Sequence, residues 1–310
     1  MSQQKKRLRA AVGCLIVVGV LWTSASAKAQ NPQPLVDENA VQKISDHVYA
    51  IIGFPNIGIV VGNRATLVVD TGLGERNGAS AMRAVQKLAK GPILYLTTTH
   101  FHPEHSSGEA GFSPNTVLIR PKIQQEDLDN DGGKVIDTFR NMSAQNKMLL
   151  QDVHLRQPDI LFDGEMKVDL GGVTARLFWA GPAHTRGDQV IYVEEDRTLI
   201  PGDIVQDKLI PNFYGDASSP KGWIAALDKV ASLDPRFIVP DHGALGDGSL
   251  IANERAFIVT LRTRALELKR QGKSPDAAVQ ILTPEIKTKY PDWTGNALGN
   301  DIKRIYAEGE

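Results

Sequence analysis

Between residues 99 and 105 the chain reads Thr-His-Phe-His-Pro-Glu-His, so three of its seven histidines and a carboxylate fall within six positions. Any fold adopted by this chain has to give those side chains a common destination. In an extended chain residues i, i+2 and i+4 face the same way, so His100, His102 and Glu104 are expected to enter one pocket from a strand end. Pro103 lacks an N–H and stops ladder pairing, and Ser106-Ser107-Gly108-Glu109 reads as a helix start directly behind His105. Imidazole and carboxylate are donors suited to zinc and similar divalent ions. A pocket for two ions needs more donors than this segment holds. Three candidates follow strand-like runs and sit near glycine: His184 in Gly181-Pro182-Ala183-His184, Asp203 in Pro201-Gly202-Asp203, and His242 in Pro240-Asp241-His242-Gly243. Such strand ends let rigid elements present donors to a shared cleft.

The order of elements supports this. Residues 48–52, 57–62 and 65–70 read as β-branched strands, the last ending in Asp70-Thr71-Gly72. Residues 79–88 have helical spacing, with Met82, Val85 and Leu88 on one side. A strand over 93–98 runs into His100. The stretch 124–155 reads as mainly helical, interrupted by the Asp/Asn/Gly cluster at 127–133. Further strands are expected at 160–162, 166–170, 174–179, 189–194, 198–201 and 237–240, with a helix over 223–233 and mostly helix from Ser249 onward. Two runs of strands, each accompanied by helices, suggest two sheets packed face to face with helices outside. The boundaries expected are residues 1–29, a catalytic domain over 30–248, and a helical extension over 249–310.

The series His-x-His-x-acid-His, a later His, Gly-Asp and a final His-Gly resembles the ligand series of the metallo-β-lactamase superfamily from Asp70 to Gly243. That resemblance implies an α/β fold, a four-layer αββα sandwich with the site at one edge. It implies that His100, His102 and His184 hold a first ion, that Glu104, His105 and His242 hold a second, and that Asp203 bridges them. Zinc is expected, two ions per chain, with iron or manganese as alternatives. The sequence departs from the family in having Glu104 where Asp is usual; the extra methylene moves the carboxylate by about 1.5 Å.

The implied activity is hydrolysis. A divalent ion brings the pKa of water toward neutrality, and hydroxide would cleave an ester, lactone, amide or related acyl bond of a small-molecule substrate. Glu104 and Asp203 are the candidate catalytic carboxylates. Cys14 is the only cysteine and lies in the N-terminal segment, which excludes a thiolate ligand in the remainder. Asp203 points toward the lactonase and glyoxalase II-like members. A true β-lactamase, a mononuclear iron dioxygenase and a non-catalytic metal-binding protein are the other readings.

Residues 1–29 begin with Lys5, Lys6, Arg7 and Arg9 and continue with an apolar run from Ala10 to Trp22. Ala25-Ser26-Ala27 and Ala27-Lys28-Ala29 are both acceptable cleavage sites, as in a secretory signal. Export to the periplasm or medium is therefore expected, with no membrane span after cleavage. Removing five basic residues from 35 leaves 30 against 36 acidic groups, a net charge near −6, and no basic tract that suits nucleic acid. His47 and His154 lack companion donors and read as structural. Asp127 to Gly132 matches the opening of a calcium loop, but Thr138 stands where the bidentate Glu belongs, so a solvated loop at the site's rim is expected. Trp179 and Trp223 read as packing residues, Arg186 and Asp188 as helix-start residues or supports for the ligands, and Phe213 and Tyr214 as possible substrate contacts.

Overall fold

The computed structural model describes residues 35–213 and 215–309; the expected leader and Tyr214 lie outside them. Strands β1 (Val41–Lys43), β2 (Val48–Ile51), β3 (Ile57–Val61), β4 (Ala65–Val69), β5 (Ile93–Thr97), β6 (Val117–Pro121) and β7 (Ile160–Phe162) form one sheet in that spatial order. Strands β8 (Glu165–Asp169), β9 (Thr174–Trp179), β10 (Gln189–Val193), β11 (Thr198–Ile200) and β12 (Phe237–Ile238) form the second, ordered β12-β11-β10-β9-β8.

Strands β3 and β4, Ile-Gly-Ile-Val-Val and Ala-Thr-Leu-Val-Val, are buried at every position because both faces of their sheet are covered. Val60, Leu67 and Val69 meet Leu177, Ile191 and Ile200 of the second sheet in the central core. On the opposite face Ile59, Val68 and Leu96 pack against Ala81, Ala84 and Val85 of helix α1 (Glu75–Leu88). The outer face of the second sheet, with Phe178, Val190 and Leu199, is covered by α5 (Pro220–Ala231), α6 (Ser249–Arg270), α7 (Pro275–Lys289) and α8 (Leu298–Glu308). The layers are therefore αββα.

Strand polarity gathers the candidate donors. β4 and β5 are parallel, so Asp70 and the 99–105 segment leave by the same edge. β9 and β11 are both antiparallel to β10, and β12 is parallel to β11. The segments leading to His184, Asp203 and His242 therefore leave the second sheet at one edge too.

Three expectations are corrected. The 127–133 cluster does not interrupt a helix: α3 runs unbroken over Lys122–Met142, and the break comes at Ser143, which caps α4 (Ala144–Leu149) by accepting from the Asn146 N–H at 3.0 Å. Leu128 and Val135 pack under Phe101, and that contact outweighs the turn propensity of the intervening residues. The helix behind the first histidines, α2 (Pro103–Ser106), starts at Pro103 rather than after His105, with proline in the first helical turn where its missing N–H costs nothing. Strands β1 and β6 were not anticipated.

Two glycines in helices test this packing. A Cβ on Gly78 of α1 would stand 1.8 Å from the Gly108 carbonyl oxygen, whereas one on Gly133 of α3 meets nothing within 4 Å. Gly78→Ala should destabilise by at least ~1–3 kcal/mol, and Gly133→Ala should stabilise by about 0.5–1 kcal/mol. Urea denaturation monitored by circular dichroism measures both.

Candidate metal centre

The 99–105 segment enters the site from β5 and then coils. His102 is extended and precedes α2, so Glu104 and His105 project from the helix's first turn. All seven candidate residues are buried: His100, His102, Glu104, His105, His184, Asp203 and His242. Their donor atoms fall into sets lying within 4.8 Å of one another: two trios, His100 with His102 and His184 and Glu104 with His105 and His242, and an overlapping set of His100, His105, Asp203 and Asp241. Asp203 stands between the two trios, with Oδ2 3.4 Å from His184 Nε2 and Oδ1 3.2 Å from His242 Nε2. The longer carboxylate of Glu104 thus reaches its trio.

A surrounding set of hydrogen bonds orients these donors. Asp70, at φ 72°, accepts from the Thr99 N–H at 2.7 Å and lies 3.2 Å from His105 Nδ1. Asp241 Oδ2 is 3.3 Å from the same nitrogen and accepts from Thr99 Oγ1 at 3.0 Å. The Thr71 hydroxyl donates to the His105 carbonyl at 2.7 Å. Asp188 is not at a helix start: it accepts from the backbone N–H groups of Ala183 and Thr185, at 3.2 and 2.9 Å, and fixes the loop bearing His184. His184 Nδ1 donates to the Asn212 carbonyl at 2.7 Å. Such partners set the tautomer and orientation of metal-binding histidines.

Burial and charge act together here. Burial, reinforced by the neighbouring imidazoles, lowers the pKa of His100 well below that of free histidine. For His105 burial works in the same direction, but the Asp70, Asp241 and Asp203 carboxylates outweigh it and raise its pKa well above the usual value. Burial and Asp203 push Glu104 up to about 7. Asp203 is held at about 2, because His242, His184 and His105 outweigh its burial. Burial and the Asp70 carboxylate push Asp241 well above the carboxylate range.

The donor chemistry fits a divalent cation. His100 Nε2, Glu104 Oε2, His105 Nε2 and Asp203 Oδ1 are buried with no hydrogen-bond partner. Buried polar atoms are normally satisfied, and lone-pair donors facing one another are satisfied together by a cation.

The pocket over these donors has a volume of about 180 Å³ and is walled by Phe54, Phe139, Met142, Leu209 and Ile210, with Gln206 and Asn212 as further polar groups. Among the described residues no lysine or arginine lines it. Phe54 lies over the His242 ring at 4.1 Å between centroids. The aromatic residue expected to contact substrate, Phe213, instead packs edge-on against buried Trp223. His47 pairs with Asp196 at 2.8 Å, away from the site. Asp127 is helical and binds Arg186 at 2.8 Å rather than forming a solvated loop. Asp241 and Phe54 were missed in the sequence; Asp241's adjacency to His242 was the one available signal.

An αββα sandwich presenting two donor trios and an intervening carboxylate at its edge defines a metal-binding protein of the two-sheet hydrolase class. The chain belongs to the metallo-beta-lactamase superfamily, whose family model matches residues 51–242. It is 22% identical over 279 residues to a linear primary-alkylsulfatase of Pseudomonas sp. (strain ATCC 19151), covering 77% of this chain and 53% of that protein. It therefore spans about half the length of that relative. It is also 22% identical over 257 residues to the type 2 metallo-beta-lactamase of Bacteroides fragilis, covering 78% and 94%. Similar solved structures include the stereoselective inverting sec-alkylsulfatase of Pseudomonas sp. (TM-score 0.68, 16% identity, 86% of this chain and 49% of that one). Another is a metallo-beta-lactamase from Pontibacter korlensis (TM-score 0.58, 20% identity, 71% and 98%).

If the trios hold metal, chelation should lower the melting temperature and zinc should restore it. A ligand at 100 times its Kd stabilises by about 2.7 kcal/mol. Differential scanning calorimetry with and without chelator is the measurement; an unchanged transition would count against the centre.

Proposed function

We propose that the protein is a metal-dependent hydrolase that cleaves an ester, lactone or related acyl bond in a small substrate with an apolar substituent. The observation that carries this reading is Asp203, which stands between the two trios and within 3.4 Å of an imidazole from each. In this assignment His100, His102 and His184 would hold the first ion, Glu104, His105 and His242 the second, and Asp203, placed between the trios, would be available to either. Zinc is the proposed metal, since imidazole and carboxylate donors suit it. When bound, such ions supply Lewis acidity and bring water's pKa toward neutrality.

The chain's own groups do the rest. Asp203, ionised across the physiological range, accepts a hydrogen bond from the attacking water and orients it. Glu104 would pass a proton to the departing oxygen through whichever carboxylate oxygen the ion leaves free. The Phe54, Phe139 and Met142 side chains exclude bulk water. Because the described lining residues include no lysine or arginine, a substrate carboxylate finds no ion pair among them, which favours uncharged esters and lactones over carboxylate-bearing β-lactams. Phe54 and Met142 are 54% and 61% exposed, and exposed apolar side chains at a pocket mouth mark a surface for an apolar group.

The relatives named as an alkylsulfatase, a β-lactamase and an acyl-carrier-protein thioesterase support hydrolysis in general, of sulfate ester, amide and thioester respectively. We further propose export to the periplasm or medium, on the basis of residues 1–29. No helix among the described residues is long and apolar enough to cross a membrane.

A panel of lactones, p-nitrophenyl esters, alkyl sulfates and nitrocefin, run on metal-analysed protein, tests the reading. Turnover of lactone or ester, abolished by chelator and restored by zinc, is expected. Glu104→Gln should lower kcat by about 10²–10⁴. Nitrocefin turnover exceeding that of every ester would select the β-lactamase reading, and iron without zinc the dioxygenase.

A further inference from the structure

One wall of the metal pocket, residues 206–213, belongs to no helix or strand, although Gln206, Leu209, Ile210 and Asn212 all face the cavity. Its shape is imposed from outside. Thr294, between α7 and α8, donates to the Lys208 carbonyl at 2.9 Å and accepts from the Ile210 N–H at 2.8 Å. Asp301 of α8 accepts from the Phe213 N–H through Oδ1 at 2.9 Å. Arg304 donates to the carbonyls of Ser218 and Asp216 at 2.7 and 2.8 Å.

The Asp301 contact differs in kind from the others. The Asn212 carbonyl and the Phe213 N–H are the two ends of a single peptide group, and a peptide group is planar. His184 Nδ1 donates to the oxygen end at 2.7 Å and Asp301 accepts from the nitrogen end. The plane is thus gripped from both sides. Because a carbonyl can only accept, it holds the proton of His184 on Nδ1 and leaves Nε2 for the trio with His100 and His102. Asp301 is itself fully buried on the apolar face of α8, beside Leu298, Ile302 and Ile305. An apolar residue would pack there without the desolvation cost of a carboxyl group, so the acceptor is the distinctive thing the position supplies.

We infer that Asp301 is a positioning residue for His184, acting through the 212–213 peptide plane, and that the C-terminal helices thereby form part of the metal centre. This rests on the reading that His184 holds metal. Removing the acceptor frees the plane to tilt, which loosens the imidazole without touching any donor.

The test uses the full chain with Asp301→Leu, which replaces the carboxyl with a side chain suited to the apolar face, Asp301→Ala as a second truncation, and Asp301→Asn, which keeps an Oδ1 acceptor. Arg304→Ala is the control, since it releases the same loop away from the plane. Zinc affinity by chelator competition should fall about 10–100-fold in the Leu and Ala variants and stay within about threefold of the native value in the Asn variant. In metal-free protein, ¹⁵N spectra should show His184 as the Nδ1–H tautomer in the native and Asn forms and as a mixture in the Leu form. Arg304→Ala should lower the melting temperature and leave affinity and tautomer unchanged. Native affinity and tautomer in a folded Leu or Ala variant would overturn the inference, as would an Asn variant no better than Leu. Should the native chain bind no metal, the functional reading fails, and the metal-free His184 spectra still decide whether Asp301 sets the ring.

Discussion

His100 Nε2, Glu104 Oε2, His105 Nε2 and Asp203 Oδ1 are gathered in one cluster, buried and without hydrogen-bond partners. Each buried polar atom left unsatisfied costs about 1–3 kcal/mol, and domains are stable by only about 5–15 kcal/mol. A chain can keep such a cluster only if something compensates it and if the rest of the fold tolerates it meanwhile. The nearby network does the second job: Asp70 and Asp241 flank His105, Asp188 binds the His184 loop, and Asn212 holds the His184 ring. A divalent cation suits the first, since imidazole and carboxylate are its donors.

That cluster could not exist on one sheet. His100, His102, Glu104 and His105 hang from the end of the sheet containing β4 and β5, whereas His184, Asp203 and His242 follow strands of the other. The donors meet only because Val60, Leu67 and Val69 pack on Leu177, Ile191 and Ile200. A loss of packing in that core therefore reaches the pocket as a change in the spacing of the trios. Site geometry and inter-sheet packing are one constraint here, which explains why the donors follow strand ends through short loops or, for Glu104 and His105, the first turn of α2.

The strands rich in β-branched residues, such as β3 and β4, could be read directly, and the seven candidate residues that the structure brings together stand out in the sequence because histidine and carboxylate after strand-plus-glycine patterns are chemically conspicuous. Strand β6 was not readable: its last residues are Arg120 and Pro121, and the fully buried Arg120 is held by Glu109, a partner eleven positions earlier, and by Gln125 Oε1 at 2.5 Å. The Asp/Asn/Gly cluster of α3 misled in the opposite direction, since local preference for a turn lost to the packing of Leu128 and Val135. The Asn212 carbonyl was invisible for a different reason. A backbone oxygen carries no residue identity, so nothing in the sequence singles out which carbonyl will meet an imidazole.

Glu104 shows how local geometry alters a chemical argument. Judged in an extended segment, its extra methylene places the carboxylate about 1.5 Å too far along. The segment is extended only as far as His102, and from Pro103 it is helical. A helix advances about 1.5 Å per residue where a strand advances about 3.3 Å, so the backbone at Glu104 is drawn back by a distance comparable to the added reach. Burial and Asp203 raise the proton affinity of the same carboxyl group, and Asp70 and Asp241 outweigh burial to raise that of its neighbour His105. Without metal, the pocket balances its buried charges with protons. A cation entering it takes the place of those protons, so metal affinity and proton occupancy are two descriptions of one equilibrium.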